Sequence, residues 1–295
     1  MSKFFGSVDE VARRLTDAGY LPSTDIATAV YLAGHLGKPL LIEGPAGVGK
    51  TELAKAVAAA ATADLIRLQC YEGIDEARAL YEWNHAKQLL RITTEREGWN
   101  DTRDHVFTEE FLLERPLLAA IRNPNPTVLL IDELDKADVE LEGLLLEVLG
   151  DYQVSIPELG TITAVRKPFV LVTSNANREL SEALKRRCLY LHIDYPTAEL
   201  ERAIVRMKVP ELDEALGEPV VRVVGALREL SLRKSPSIAE TVDWAKTLVA
   251  LGTRNLSNSV IRSTLGVLLK YQADHRIAAE RLGLSESPND EGTAR

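Results

Sequence analysis

Apolar residues recur along this chain with more than one period, and the places where the period changes outline its organisation. "VDEVARRLTDAG" and "TDIATAVYLAGHLG" repeat their apolar positions every three to four residues, which predicts two helices closed by glycine. "PLLIEG" is a short apolar strand, "KTELAKAVAAAAT" a helix, and "DLIRLQC" a second strand. Tyr71 to Ile121 reads as mostly helical around a polar, loop-like centre at Trp99 to His105; the stretch is longer than a strand-to-strand connection needs and marks an insertion. "PTVLLIDEL" is almost continuously apolar, as expected of a central parallel strand covered on both faces. "ADVELEGLLLEVLGD" predicts an amphipathic helix, "QVSIP" and "TITAV" flank Glu158-Leu159-Gly160 as a hairpin does, and "FVLVTSN" is another buried strand. The helix "ELSEALKRR" then leads into a last strand, "LYLHI".

From "DYPTAELERAIVRMKVP" onward the strand signals stop. "LDEALGEPVVRVVGALRELSL", "SIAETVDWAKTLVALG" and "SVIRSTLGVLLKYQADHRIAAERLG" all carry helical periodicity. The pattern therefore predicts an α/β domain over 1–196 and an all-helical domain over 197–285, with 286–295 a small polar tail of disordered composition. No internal repeat or low-complexity tract interrupts this division.

The charge balance is acidic, 35 Lys and Arg against 44 Asp and Glu, and a net −9 argues against nucleic-acid binding by long-range attraction. Cys70 and Cys188 lack the paired spacing of a zinc site or redox couple, which fits core residues in a reducing compartment. The N-terminus has no leader pattern and no apolar run reaches membrane-spanning length, so the expectation is a cytoplasmic protein without a membrane span. His85, His105 and His192 have no ligand spacing. The aromatic-rich "YEWNHAKQLL" has no basic cluster around it and reads as insertion core or a partner contact, not as a base-stacking surface.

Gly44-Pro45-Ala46-Gly47-Val48-Gly49-Lys50-Thr51 fits GxxxxGK[ST] at every fixed position and sits between a predicted strand and a predicted helix, the context that motif requires. Its glycines let backbone N–H groups converge on phosphate, Lys50 can reach the β- and γ-phosphates, and the Thr51 hydroxyl can ligate Mg²⁺. "TVLLIDE" adds an apolar strand ending in adjacent carboxylates: Asp132 to hold Mg²⁺ through water, Glu133 to orient and polarise the attacking water. The two motifs specify nucleoside triphosphate hydrolysis without separating a kinase, a GTPase and a mechanical ATPase. Asn175, at the end of "FVLVTSN", can set its amide beside the γ-phosphate if its strand neighbours that of Asp132. Arg186 and Arg187 follow a helix and precede a strand, where an arginine of an oligomeric ATPase can reach a neighbouring subunit's nucleotide. The helical segment after Pro196 can act as a lid.

On GPAGVGKT, LLIDELDKA, the hairpin segment "QVSIPELGTITAV" before "VLVTSN", and "LSEALKRRCLYLHIDYP", the chain resembles the AAA+ ATPases and, within them, the MoxR-type group. The likeness runs from about Leu21 to Leu284, and "CYEGIDEARALYEWNHAKQLL" and "LKRRCLYLHIDYPTAELE" bring it closest to CoxD-like members. The resemblance implies an AAA+ P-loop parallel-sheet domain followed by a helical lid, assembled as a ring, usually a hexamer, with ATP between subunits. It implies hydrolysis of ATP and water to ADP and phosphate, and a chaperone that remodels or matures a protein client, often with a von Willebrand factor A-domain protein. For CoxD-like members that client is a molybdenum hydroxylase such as carbon monoxide dehydrogenase.

Carried over by position, Lys50 and Thr51 match the Walker A lysine and threonine, Asp132 and Glu133 the Walker B pair, and Asn175 sensor 1. Arg187 aligns best with the arginine finger, with Arg186 the neighbouring candidate. About 71–111 falls where this group inserts into its second helix, and about 152–166 where it carries the pre-sensor hairpin; both are the implied client-contacting elements. One step departs from the pattern. Many relatives have Ser-Pro-Arg in the lid, whereas this chain reads Ser235-Pro236-Ser237, so the sensor 2 arginine is absent from its expected place and Arg233 or Lys234 are the nearby substitutes. Two rival functions stay open on sequence: a nucleotide-gated scaffold without turnover, against which Glu133 and Asn175 argue, and a nucleic-acid-remodelling AAA+ ATPase, against which the acidic balance argues.

Overall fold

Six consecutive buried residues, Thr127 to Asp132, form the strand around which the first part of the chain is built. The computed structural model describes residues 4–94 and 106–284. Its elements are α1 (Val8–Asp17), α2 (Thr24–Leu36), β1 (Leu40–Glu43), α3 (Lys50–Ala60), β2 (Asp64–Gln69), α4 (Glu76–Ala79), β3 (Tyr81–Trp83), α5 (His85–Thr94), β4 (Leu112–Glu114), α6 (Pro116–Arg122) and β5 (Thr127–Asp132). There follow α7 (Val139–Asp151), β6 (Gln153–Ile156), β7 (Gly160–Thr163), β8 (Phe169–Ser174), α8 (Glu182–Arg187), β9 (Leu189–His192), α9 (Ala198–Lys208), α10 (Glu214–Arg228), α11 (Ile238–Ala250), α12 (Asn258–Leu268) and α13 (Gln272–Arg281).

The chain divides into two units, Met1–Pro45 with Lys50–Ile193, and Ala46–Gly49 with Asp194–Arg295. In the first, five parallel strands lie in the order β2-β5-β8-β1-β9. β5 and β8 are buried at every residue, which is why their sequences read as unbroken apolar runs, whereas the edge strands β2 and β9 expose half or more of theirs. Leu129, Ile131, Val170 and Val172 of these central strands pack with Leu117, Leu118 and Ile121 of α6 and with Leu141, Leu145 and Val148 of α7 in one core. Serine caps start α1 (Ser7), α2 (Ser23) and α8 (Ser181), and Gly37 ends α2 in the left-handed conformation.

Among the described residues, Tyr71 to Ile121 carries the helices α4, α5 and the start of α6, together with a pairing that the sequence pattern does not show: β3 pairs antiparallel with β4, Tyr81 opposite Glu114 and Trp83 opposite Leu112, and "EEFLLER" forms a 3-10 turn and that strand. Three residues are too few to display a period, and their partner lies about thirty residues away, so the pairing is a tertiary outcome. The polar centre expected at Trp99 to His105 falls outside the described residues, as does the tail expected at 286–295. The periodic segment "SVIRSTLGVLLKYQADHRIAAERLG" forms two helices: the backbone is extended at Leu269 and Tyr271, although the apolar period runs on through the break.

The second unit closes on Trp244, fully buried among Val220, Val224, Leu227, Leu248, Leu265 and Leu268, its indole N–H donating to Thr264 Oγ1 at 2.8 Å. Arg228 ties three of its segments together. It makes two parallel bonds to Glu201 of α9 at 2.6 and 2.8 Å, donates through Nε to the Pro236 carbonyl at 2.8 Å, and lies 4.6 Å over the Tyr195 ring. The Glu201 side chain is only 2% exposed, so removing its partner would strand a buried charge. Arg228→Met is expected to cost about 3–5 kcal/mol, and Arg228→Met combined with Glu201→Leu to regain most of it; urea unfolding followed through Trp244 fluorescence checks both.

Candidate active site

The carboxyl ends of β1, β5 and β8 bring the polar residues of the first unit together. After Glu43 the backbone turns at Gly44 with φ +152°, and a Cβ there would fall 1.9 Å from the Ile193 carbonyl oxygen, whose own N–H bonds Glu43 O at 2.8 Å. Only glycine lets the segment after β9 pass that close. Six residues on, Lys50 opens α3 and is 6% exposed. Its ammonium donates to Gly44 O at 2.6 Å, Pro45 O at 2.7 Å and Asn175 Oδ1 at 2.8 Å, which uses all three N–H groups. Burial pulls the Lys50 pKa below its ordinary value, against the nearby charges of Asp135, Asp132, Glu133 and Glu43.

Asp132 ends the fully buried β5 and is 1% exposed. Its carboxylate accepts from Thr51 Oγ1 at 3.1 and 3.2 Å and from Thr173 Oγ1 at 2.6 Å; the Thr173 oxygen in turn accepts the Glu133 N–H at 2.8 Å. Arg67 of β2 donates to Asp132 Oδ2 through Nε at 3.0 Å and Nη2 at 2.5 Å. Gln69, two residues along the same strand, accepts from Arg67 and donates to Glu133 Oε2 at 2.9 Å.

Glu133 itself has φ +57° and ψ +47°, the left-handed region that a non-glycine residue adopts only when its surroundings hold it there. Those surroundings are the Thr173 bond to its N–H, Lys136 Nζ on Oε2 at 2.7 Å, and Asn175 Nδ2 toward Oε1 at 3.4 Å. Asn175 follows β8, which lies beside β5, so the neighbourhood its reading depended on is present. Its backbone N–H, the Asn177 N–H and the Asn177 amide all donate to Asp135, at 3.0, 3.1 and 2.7 Å.

Lys50, Thr51, Asp132, Glu133 and Asn175 thus form one hydrogen-bonded group with Gly44 and Pro45. Sequence reasoning missed four members of its surroundings: Arg67, Gln69, Thr173 and Asp135. The last two were detectable as polar residues at the ends of apolar strands, in "VTSN" and "DELD", whereas Arg67 has no local signal.

Arg186 and Arg187 stand apart from this group. Arg186 is 82% exposed with Glu182 at 3.9 Å, and Arg187 is exposed with Nη1 on Ala183 O of its own helix at 3.3 Å. In the second unit, Ala46 and Gly47 are exposed and Val48 is buried, and a Cβ on Gly47 would meet Ser237 Oγ at 2.6 Å. Ser237 caps α11 in a capping box with Glu240; Arg233 lies 4.3 Å over the Tyr271 ring and Lys234 pairs with Glu240 at 3.1 Å. The residues proposed to stand in for a missing arginine are therefore engaged within their own unit.

Thr51 and Asp132 offer hard oxygen donors about 3 Å apart, the kind of ligand Mg²⁺ takes while keeping several waters. Among the described residues no group of three or more His, Cys, Asp or Glu could hold a metal on its own, so an ion here would draw the rest of its shell from water or a bound ligand. Burial pushes the thiols of Cys70 and Cys188 up to about 12, which leaves both protonated and inert.

A family model described as AAA domain (dynein-related subfamily) matches residues 39–188. An uncharacterized protein of Staphylococcus haemolyticus (strain JCSC1435) is 25% identical over 228 residues, which cover 74% of this chain and 78% of that protein. An uncharacterized protein of Staphylococcus aureus (strain bovine RF122 / ET3-1) is 23% identical over 227 residues, 73% of this chain and 77% of its own. Among solved structures, a mutant form of Thermotoga maritima RuvB is similar with a TM-score of 0.50 and 16% identity, over 95% of this chain and 84% of that one; the likeness is one of fold.

Asp135 is 5% exposed and satisfies two backbone N–H groups that hold Asn175 in place. Asp135→Ala is expected to lower stability by about 2–4 kcal/mol, since each buried donor left unpaired costs about 1–3 kcal/mol, and Asp135→Asn by less because it keeps an acceptor; thermal denaturation of the two variants side by side checks the order.

Proposed function

The chain belongs to the AAA domain family, dynein-related subfamily, and from that premise we propose that it hydrolyses ATP to ADP and phosphate as a ring-forming motor acting on a protein client. The family is one of nucleotide-hydrolysing ATPases that generally assemble as rings, and the finer roles below are inferred for this chain. The observation that carries the proposal is the convergence of Lys50, Thr51, Asp132, Glu133 and Asn175 on the ends of adjacent strands, with Lys50 and Glu133 both bonded to Asn175.

In this reading Lys50 exchanges its carbonyl partners at Gly44 and Pro45 for the oxygens of the β- and γ-phosphates. Thr51 and Asp132 would hold Mg²⁺, whose contribution when bound is to neutralise developing charge on the phosphate oxygens. Glu133 takes the proton from the attacking water, its carboxylate held by Gln69, Lys136 and Asn175. Asn175, tied to both Lys50 and Glu133, keeps the two in register. Arg187 serves a neighbouring protomer's nucleotide; its exposure at the end of α8, with Nη1 bonded only to a carbonyl of its own helix, supports a role across an interface. The helical second unit turns hydrolysis into motion.

The finer assignment is a MoxR-type, CoxD-like chaperone, working in the cytoplasm as a hexamer, with a molybdenum hydroxylase such as carbon monoxide dehydrogenase as client and a von Willebrand factor A-domain protein as partner. It rests on the sequence resemblance. The exposed apolar side chains Leu89 and Leu90 on α5 and Val165 beyond β7 support the insertion and hairpin as the client-contacting elements. Among the described residues no helix is long and apolar enough to cross a membrane.

Glu133→Gln is expected to keep nucleotide binding while turnover falls by about 10²- to 10⁴-fold; phosphate release and fluorescent-nucleotide titration together check it, and undiminished release would remove Glu133 as the base. The same variant, holding ATP, is the one to use for capturing the client. Arg187→Ala should lose activity alone, and mixing it with Lys50→Ala protein should restore part of it; no recovery in the mixture would rule out action across protomers.

A further inference from the structure

Asp132 needs a cation and Arg67 supplies one. The carboxylate is 1% exposed, and its Oδ1 is taken by the Thr173 hydroxyl at 2.6 Å and approached by Thr51 at 3.1 Å. Oδ2 receives both Nε and Nη2 of Arg67, a guanidinium half exposed on the edge strand, and the same Nη2 also donates to Gln69 Oε1. Two other cations nearby are committed elsewhere, Lys50 to Gly44, Pro45 and Asn175 and Lys136 to Glu133. The arrangement follows from the register: Gln69 stands opposite Asp132 across the β2–β5 ladder, and Arg67, two residues back, shares its face.

The inference rests on the proposed nucleotide site, in which Thr51 and Asp132 receive Mg²⁺. A water on a bound Mg²⁺ would need the Oδ2 lone pairs that Arg67 now fills, and two cations on one carboxylate oxygen repel each other. Asp132 cannot move aside, because β5 is buried along its whole length between β2 and β8. Arg67 can: its side chain is 47% exposed, and released from Oδ2 it is hydrated at the sheet edge. We propose that Arg67 is a resident counter-cation of Asp132 that must vacate it before a divalent cation is accepted, so that this chain binds nucleotide with a raised Mg²⁺ requirement.

The test is a titration of Mg²⁺ against the binding of a fluorescent N-methylanthraniloyl ADP to the full-length chain, a measurement in which no turnover occurs. In Arg67→Gln the half-saturating Mg²⁺ concentration should fall by about tenfold, the factor that corresponds to 1.4 kcal/mol of lost competition. Arg67→Lys retains a charge but not the forked pair of donors, and should fall by a smaller factor; it carries the test by itself if the glutamine variant does not fold. A midpoint unchanged in both variants overturns the inference while leaving the nucleotide site in place. A midpoint that rises, or loss of binding in a folded variant, overturns it too and makes Arg67 a ligand of the nucleotide. If the unmodified chain binds no nucleotide at any Mg²⁺ concentration, the proposed function fails and this inference with it.

Discussion

A carboxylate buried at the end of a central strand is the constraint on which the rest of this site depends. Asp132 is shielded by the same apolar packing that makes β5 the middle of the sheet, and burial of a charge is tolerated only when its oxygens are bonded and a cation is near. That condition recruits one residue from each surrounding element: Thr173 from β8, Arg67 from β2 and Thr51 from the first turn of α3. Each then does a second thing. Thr173 fixes the backbone of Glu133, Arg67 fixes Gln69, and Thr51 stands beside Lys50. The polar group is in this sense a by-product of stabilising one charge.

The anchoring extends outward through two further buried acids. Asp135 gathers the turn after β8, and Glu142 of α7, 1% exposed, accepts from Arg178 and from the Ser181 N–H that starts α8. Burial disfavours the Glu142 carboxylate, yet its bonds to Ser181 and Arg178 outweigh that and hold its pKa below the ordinary value. The position of Arg187 therefore traces back, through Ser181 and Glu142, to the helix that follows Asp132.

Much of this was legible in the sequence because it rests on local rules. The buried strands announce themselves as apolar runs, the loop before α3 as glycines at fixed spacing, and Asn175 as a polar residue ending a strand. What stayed hidden was set by partners distant in sequence. Tyr81 to Trp83 becomes a strand only because Leu112 to Glu114 lies alongside, and the break at Leu269 to Tyr271 leaves the apolar period intact. Arg67 looks like any charged residue on an edge strand until the register sets it near Asp132, 65 positions away.

The left-handed backbone at Glu133 has a consequence for how this protein responds to selection. A glycine or asparagine at that position would relieve a conformational cost of about 1 kcal/mol while discarding the carboxylate. Screens that reward heat tolerance alone would then enrich such replacements and return sturdier chains that have lost this carboxylate.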